Sequence, residues 1–251
     1  MEVHHHPHVE KKNFKEYFLE FLMIFLAVTM GFFAESIRES ITDNAKEKEF
    51  VMSMIEDAAT DTANIRIAIQ LNEKRINHLD SLCTICFNYS AAPNQDVDIY
   101  RLYRYGLVHP AFISPTERTL LQLKNSGGMR LIRRKTAVDS IIAYDDMAKK
   151  LADQQAYYER YQNESINSSV ELLNFKYYQS FRTGMNLKNL ATDYPSAQLL
   201  DRDKSKVIQL GNRITVYMGV VDFYKARLME MNMHAVNLIT TLKKEYRLEN
   251  Q

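Results

Sequence analysis

The pattern that decides the fold lies near the C-terminus, in residues 207–242, VIQLGNRITVYMGVVDFYKARLMEMNMHAVNLITTL. Apolar side chains recur there in steps of three and four residues without a break. They are Val207, Leu210, Ile214, Tyr217, Val221, Tyr224, Leu228, Met231, Ala235, Leu238 and Leu242. This period places all of them on one face of an α-helix, and such a face needs a partner helix to cover it. The segment therefore predicts a long helix, about 202–248, within a bundle or coiled coil.

A second seam of the same period runs through residues 37–88. Its members are Ile37, Ile41, Asn44, Lys48, Val51, Ile55, Ala58, Thr62, Ile65, Ile69, Asn72, Ile76, Leu79, Cys83 and Cys86. The polar members Asn44 and Lys48 predict loose packing up to Val51 and tighter packing beyond it. Asn72 stands among apolar neighbours and has two interpretations of equal weight. It is either a buried amide that fixes register and partner number, or a solvated exception.

Breakers and capping signals divide the middle of the chain. The sequence AAPN at 91–94 ends the second seam near Asn88, and a short helix is expected at about 96–105. The sequence SPTE at 114–117 has the form of a capping box with Pro at the first helical position, which predicts a helix start there. Gly127-Gly128 is expected to end that helix.

A third long helix is predicted over residues 134–178, where breakers are few. Its first half keeps the three-four period with Ile141, Tyr144, Ala148, Leu151 and Tyr158. Polar side chains continue the same face, namely Gln155, Gln162, Ser165 and Ser169. The second half is therefore either polar inside the bundle or mostly solvated. Together the three helices predict an all-α fold, a long-helix bundle or antiparallel coiled coil.

The composition agrees with an all-α fold. Seven Gly and five Pro in 251 residues are too few for a turn-rich all-β protein, whereas long helices need very little such punctuation. The 32 basic side chains nearly balance the 31 acidic ones, so no overall electrostatic field draws the chain to nucleic acid.

An apolar segment near the N-terminus predicts a membrane anchor. Residues 21–34, FLMIFLAVTMGFFA, carry no charge, and extension back to Tyr17 adds one ionisable group, Glu20. The extended segment spans about 27 Å as a helix, close to the ~30 Å of a hydrocarbon core. Phe32 is too large for the small-x-small site at which signal peptides are cleaved. The sequence therefore predicts an uncleaved transmembrane signal anchor at 17–36 that continues into the following helix.

The charges that flank the anchor decide its predicted orientation by a small margin. They are Lys11, Lys12 and Lys15 before it, and Arg38, Lys46 and Lys48 after it. The lysines of the tail lie closer to the apolar segment, and a long C-terminal domain can be translocated largely regardless of its charge. We therefore expect a cytoplasmic tail at 1–16 and an extracytoplasmic helical domain at 37–251.

Two sets of potential metal ligands have simpler interpretations. Cys83 and Cys86 have CxxC spacing, but both fall on the seam of a predicted helix, and no second CxxC or nearby histidine completes four ligands. Two packed core cysteines are therefore favoured over a metal or redox pair. The tail HHHPH at 4–8 could hold a soft metal ion, but a disordered tail or a remnant resembling a purification tag is favoured. We expect no cofactor.

No catalytic signature is present in the sequence: HExxH, GxSxG, the Walker loop and GxGxxG are all missing. His78, His109 and His234 fall on different predicted elements. The acidic clusters at 145–146 and 201–203 are interpreted as a solvated helix face and a helix start. An enzyme is therefore the least favoured class, and no small-molecule substrate is identified.

Two stretches resemble a known family. They are EFLMIFLAVTMGFFAESIRE at 20–39 and TLLQLKNSGGMRLIRRKTAVDSIIAY at 119–144. Together they resemble a family of bacterial single-pass membrane proteins known only as a domain of unknown function. Members leave the membrane through a run with Gln, Asn and Trp, where this chain has Glu35, Ser36 and Arg38. The resemblance implies a Gram-negative inner-membrane protein with an extracytoplasmic helical domain, and it implies no activity.

Two function hypotheses follow. In the first, the protein is a membrane-anchored scaffold or sensor whose helices bind a second copy or another envelope protein, because long apolar seams are surfaces for helices. In the second, it is a single-pass subunit of an energy-coupling, stator-like membrane complex, and Glu20 is its functional carboxylate. Glu20 also has a simpler interpretation, an interfacial carboxylate that reaches the lipid headgroups.

Overall fold

The computed structural model describes residues 13–108, 110–177 and 197–248. These residues form helices and loops without a strand, which confirms the all-α class. The elements, in chain order, are α1 (Phe14–Phe87), α2 (Pro93–Tyr103), a π-helical turn (Arg104–Val108), α3 (Arg118–Asn125), a 3-10 turn (Gly128–Leu131), α4 (Lys135–Ser169) and α5 (Lys204–Glu245). The chain divides into two compact units, an N-terminal unit up to Phe50 and a bundle unit from Val51 onward.

The N-terminal unit is described from residue 13 and consists of the first part of α1. Its large apolar side chains are exposed, as at Ile24 (66%) and Phe33 (65%). The hydroxyl of Thr29 donates to the carbonyl oxygen of Phe25 at 2.7 Å, so this polar group is satisfied within the helix. Among the described residues, α1 is the one helix long and apolar enough to cross a membrane. Its most apolar eighteen-residue window has a mean hydropathy of 2.0, and none of that window is buried.

The bundle unit confirms the predicted seam of α1 beyond Val51. The buried members are Val51, Ala58, Thr62, Ile65, Asn72, Leu79, Cys83 and Cys86, and the partly buried ones are Ile55, Ile69 and Ile76. The earlier members Ile37 and Ile41 are 60% and 65% exposed. The seam therefore becomes a packed surface at Val51, as its polar start predicts.

All eleven predicted seam positions of α5 are buried. Gly211 on this helix lies so close to α1 that a Cβ atom there would come within 2.9 Å of the Cβ of Cys86. A glycine is required at this point because the two helices leave no room for a side chain. Helix α5 also packs along α4, whose five predicted apolar seam positions between Ile141 and Tyr158 are buried.

The end of α4 differs from the prediction. The helix ends at Ser169 rather than near residue 178. The backbone N–H groups of Leu172 and Leu173 both bond to the carbonyl oxygen of Ser169, and both leucine side chains are buried. The chain turns inward to bury these two leucines, which a straight continuation of the helix would not do. On the predicted polar half of α4, Gln162, Ser165 and Ser169 are buried, so this half is polar inside the bundle.

The predicted start of α3 is also wrong. The helix begins at Arg118 rather than within the SPTE sequence at 114–117, and no side chain caps it locally. Carboxylates from α1 replace the expected cap. The other boundaries agree with the breakers: α1 ends at Phe87, α2 begins at Pro93, and Gly127 ends α3 with a positive φ of 67°.

Candidate functional site

Two carboxylates on α1 hold the start of α3. Asp61 accepts hydrogen bonds from the backbone N–H of Thr116 at 2.9 Å and from its hydroxyl at 2.8 Å. One turn earlier, Asp57 accepts from the N–H and hydroxyl of Thr119 at 3.1 and 2.5 Å. It also pairs with the guanidinium of Arg118 at 2.7 Å. Both carboxylates are buried yet satisfied, and they supply the acceptors that the first N–H groups of a helix need.

Tyr144 on α4 joins the same cluster. Its hydroxyl donates a hydrogen bond to Asp61, and its side chain is 2% exposed. Burial raises the pKa of Tyr144, and the hydrogen bond to the Asp61 carboxylate raises it further. The phenol therefore stays protonated and remains a donor. One carboxylate thus links α1, the loop before α3, and α4.

Asn72, the candidate register-setting residue, is fully buried. Its amide nitrogen donates to the carbonyl oxygens of Ala68 at 2.9 Å and Ala111 at 3.0 Å. Its side-chain oxygen accepts from the hydroxyl of Tyr158 at 3.3 Å. The solvated interpretation is therefore wrong. The amide joins α1 to α4 and to the loop at 110–117 of the same chain, and its roles in setting register and partner number stay predictions.

An aromatic cluster surrounds Tyr158, which donates a hydrogen bond to this amide. The ring of Tyr158 meets three other rings edge to face, with centroid distances of 4.7 Å to Phe112, 5.5 Å to Tyr217 and 5.3 Å to Tyr224. This geometry brings the positive edge of one ring to the negative face of another and is favourable. Burial raises the pKa of Tyr224 to about 12 and also raises that of Tyr217. The cluster is therefore neutral at physiological pH.

A third buried carboxylate, Asp96 on α2, holds the segment that enters α5. It accepts from the hydroxyl of Tyr89 at 2.7 Å and from the backbone N–H of Leu199 at 3.1 Å, and it pairs with Arg202 at 2.7 Å. Asp203 then caps α5, because its side chain accepts hydrogen bonds from the backbone N–H groups two and three residues later. The interpretation of 201–203 as a helix start is confirmed, and Arg202 has an additional partner that the sequence did not indicate.

Both cysteines are free and buried, as the packing interpretation predicts. The sulfur of Cys83 lies 3.4 Å from the hydroxyl oxygen of Thr215 and 3.7 Å from the carbonyl oxygen of Gly211, both on α5. Burial raises the pKa of both thiols, that of Cys86 to about 12. A buried neutral thiol is a poor nucleophile and a poor metal ligand.

Glu20 lies in the N-terminal unit, beside the uncharged stretch of α1. Its side chain is partly covered, whereas the side chains of residues 23–28 are exposed. Asn72 and the carboxylates Asp57 and Asp61 lie in the bundle unit, so the two candidate residues, Glu20 and Asn72, belong to different units. Its functional role stays a prediction.

The histidines form no shared site in the part of the chain that the structure describes. His78 lies on α1 and His234 on α5. His109 and the tail at 4–8 lie outside the described residues. Within the described ranges no group of three or more His, Cys, Asp or Glu side chains could hold a metal ion.

Helix α1 has a second buried row that its sequence pattern did not predict. The row runs at intervals of seven residues through Met54, Asp61, Ala68, Arg75 and Leu82. It lies beside the seam, so α1 is covered over a wider face than a two-helix seam requires. The apolar members at this spacing were a usable signal. The charged members hid it, because charges on a helix are usually solvated.

The geometry defines a class of protein: a bundle of long helices in which one helix includes an exposed apolar stretch able to cross a membrane. Comparisons with protein-family models, with curated proteins and with solved structures gave no match for this chain.

Proposed function

We propose that the protein is a non-enzymatic, membrane-anchored helical scaffold or sensor. The observation that carries the proposal is the apolar stretch of α1, which is exposed in the part of the chain that the structure describes and is long enough to span a bilayer. Leaving such a surface in water is unfavourable, whereas a hydrocarbon core accommodates it. Lipid is therefore the first partner.

The partner surface of the bundle unit differs from the one that the sequence suggested. The seam of α1 beyond Val51 and the seam of α5 are buried within the chain, so they are not free for a second copy. Exposed apolar side chains on the outer side of α5 remain available, with Phe223 at 50%, Met229 at 53% and Met233 at 62% exposure. Such side chains support binding of a second copy or of another envelope protein.

The test of this surface is the mass of the full chain purified from native membranes in detergent. We expect a mass above that of one chain, or a bound envelope protein, and loss of this complex on joint substitution Phe223→Ser and Met233→Ser. Tyr157→Ser, at a side chain of α4 that is 57% exposed, is the matched control and should leave the complex intact. A single chain without a partner in every variant would contradict the scaffold proposal.

For localisation, we propose a Gram-negative inner-membrane protein with a cytoplasmic N-terminus and a periplasmic helical domain. The support is the order of the flanking charges and the resemblance carried by residues 20–39 and 119–144. A reporter that is active only outside the cytoplasm, fused after Gln251, should be active. Activity from cytoplasmic reporters alone would reverse the orientation.

The alternative function is a stator-like energy-coupling subunit that uses Glu20. The supporting observation is a partly covered carboxylate next to an uncharged membrane-length stretch. The substitution Glu20→Gln keeps the shape of the side chain and removes its charge. Under the scaffold proposal it should leave insertion, abundance and partner binding intact, as should the control Glu39→Gln. Loss of a cellular phenotype in normally inserted Glu20→Gln protein would favour the alternative.

A further inference from the structure

A groove runs along α4 on the surface of the bundle unit. It has a volume of about 480 Å³ and lies between α4 and the loop at 110–117. On the α4 side it is lined by Ala148, Ala152 and Ala156, which share one face of the helix because they are four residues apart. Their side chains end at Cβ and so leave the groove open. Ile113 and Pro115 line the opposite wall, which makes the groove largely apolar.

Hydrogen bonds from two other helices hold the loop wall in place. The hydroxyl of Tyr224 on α5 accepts from the backbone N–H of Ile113 at 3.4 Å. The carboxylate of Asp61 on α1 accepts from the backbone N–H of Thr116 at 2.9 Å. The wall is therefore formed before any ligand arrives, and a preformed site binds at a lower entropic cost.

The loop runs antiparallel to α4. At one end of the loop, the ring centroid of Phe112 lies 4.7 Å from that of Tyr158 on α4. Four residues later, Thr116 hydrogen-bonds to Asp61, and the hydroxyl of Tyr144 on α4 donates to the same carboxylate. The loop thus passes from the level of Tyr158 to the level of Tyr144, along the length of the groove.

This direction places one carboxylate near each end of the groove. Glu117 lines the groove and follows the loop residue that meets Asp61, so it lies towards the N-terminal end of α4. Glu159 lines the groove at the other end. From Ala148 to Glu159 the helix rises about 16 Å. The groove is therefore elongated and apolar, with negative charge near both ends.

Neighbouring cations do not neutralise these two carboxylates. Glu117 precedes α3, yet its side chain makes no capping hydrogen bond, and the adjacent Arg118 pairs with Asp57 at 2.7 Å. Glu159 accepts from a neutral amide one turn earlier on α4 at 2.9 Å, and the adjacent Arg160 pairs with another glutamate at 3.0 Å. In the part of the chain that the structure describes, no Lys, Arg or His side chain lines the groove.

From this arrangement we propose that the groove binds a small organic dication with an apolar spacer, of the aliphatic diamine class, between Glu117 and Glu159. Each ammonium group donates hydrogen bonds to one carboxylate, and the methylene chain covers the apolar side chains between them. The volume of the groove is within the usual range for small-molecule sites. The inference rests on the bundle unit alone, so it stands or fails independently of the anchored-scaffold proposal.

The test is isothermal titration calorimetry of the full chain in uncharged detergent, with 1,8-diaminooctane as the probe. Two reference compounds separate its features. The first, 1,3-diaminopropane, carries the same two charges on a spacer too short to reach both ends, and the second, 1,8-octanediol, has the spacer without the charges. We expect saturable binding of one 1,8-diaminooctane per chain, and binding of both references weaker by about tenfold or more. Equal affinity for 1,3-diaminopropane would show general charge attraction and overturn the proposal.

A filled groove tests the position of the site. Ala152→Leu places a larger side chain in the middle of the groove and leaves every charge in place. The variant should fold, because Ala152 is exposed and Leu is a good helix former. We expect it to abolish saturable binding of 1,8-diaminooctane. Ala226→Leu, at an exposed position of α5, is the matched control and should bind like the unmodified chain.

Substitution of the carboxylates tests the charge requirement. Glu117→Gln and Glu159→Gln should each weaken binding by about fivefold, the upper range for an exposed ion pair, and the double substitution should weaken it further. Glu73→Gln, at an exposed position of α1, should have no effect. No saturable binding by the unmodified chain, or unchanged binding in Ala152→Leu or in the double glutamine variant, would overturn the proposal.

Discussion

Residues 14–50 and 51–87 belong to one helix, α1, but their apolar side chains have opposite environments. In the N-terminal unit, Ile24 is 66% exposed and Phe32 is 73% exposed. In the bundle unit, Ile65 and Leu79 are fully buried. The backbone conformation is the same in both stretches, so the difference lies in how apolar residues are distributed around the helix.

This distribution explains why the stretch beyond Val51 is covered by other helices, whereas the stretch at 21–34 suits a lipid bilayer. Beyond Val51 the apolar side chains form a stripe, and helices of the same chain cover it. In residues 21–34 almost every position is apolar, so the apolar surface surrounds the helix. A single neighbouring face cannot cover such a helix, whereas a lipid bilayer can. Local propensity is thus not what separates a core helix from an anchor.

The largest expected effect comes from placing the same charge in the two stretches. Ile65→Asp puts a carboxylate into the packed seam, and we expect a loss of about 4 kcal/mol in the free energy of unfolding. The melting temperature of the helical signal, measured by circular dichroism in detergent, should fall by about 10 °C or more. Ile24→Asp, on the exposed stretch of the same helix, should leave this transition unchanged. Equal melting temperatures for the two variants would show that the seam is not a core.

A smaller effect is expected at the carboxylate that replaces the cap of α3. Asp61→Asn removes one of the acceptor oxygens used by Thr116 and Tyr144, and we expect a loss of about 2 kcal/mol. The control is Asp153→Asn at an exposed position of α4, which should be neutral. Chemical denaturation followed by circular dichroism measures both. If Asp61→Asn leaves the free energy of unfolding unchanged, water or other groups satisfy the hydrogen-bond donors at the start of α3.

The cysteines give the smallest effect on stability. Joint substitution of Cys83 and Cys86 by Ala should lower the free energy of unfolding by about 1 kcal/mol per site, with no change of oligomeric mass.

The chemical reactivity of the two cysteines is a second test of their burial. Burial raises the pKa of Cys86 from its ordinary value of 9.0 to about 12. The folded state therefore favours the neutral thiol, and the contribution of this thiol to stability is lost as pH rises from about 9 towards 12. At pH 8 the native chain should resist alkylation, while the unfolded chain reacts. Rapid alkylation of the native chain would show that the thiols are accessible.

The sequence predicted those parts of the fold that depend on local periodicity and breakers. The seams of α1 and α5, the end of α1 and the start of α4 agree with the structure. The start of α3 could not be predicted, because its acceptors, Asp57 and Asp61, lie about sixty residues earlier in the chain. The end of α4 depends on the inward turn of Leu172 and Leu173, a tertiary effect.

The candidate site was predictable only in part. The burial of Asn72 was one of two open interpretations, and its acceptor Ala111 lies in a loop without any periodic signal. Arg75 was missed because a charge next to a seam is usually solvated. Its burial follows from the coverage of α1 over a wide face, which becomes visible only when the helices are assembled.

The measurement that tests the central claim most directly is alkaline carbonate extraction of cell membranes that contain the full chain. The account predicts that the chain stays in the membrane pellet. Joint substitution Ile24→Asp and Phe25→Asp, within the exposed apolar stretch, should move it to the soluble fraction. The control Ile67→Asp, at an exposed side chain of the bundle unit, should not. A full chain that carbonate extracts as completely as the doubly substituted variant would contradict the anchor.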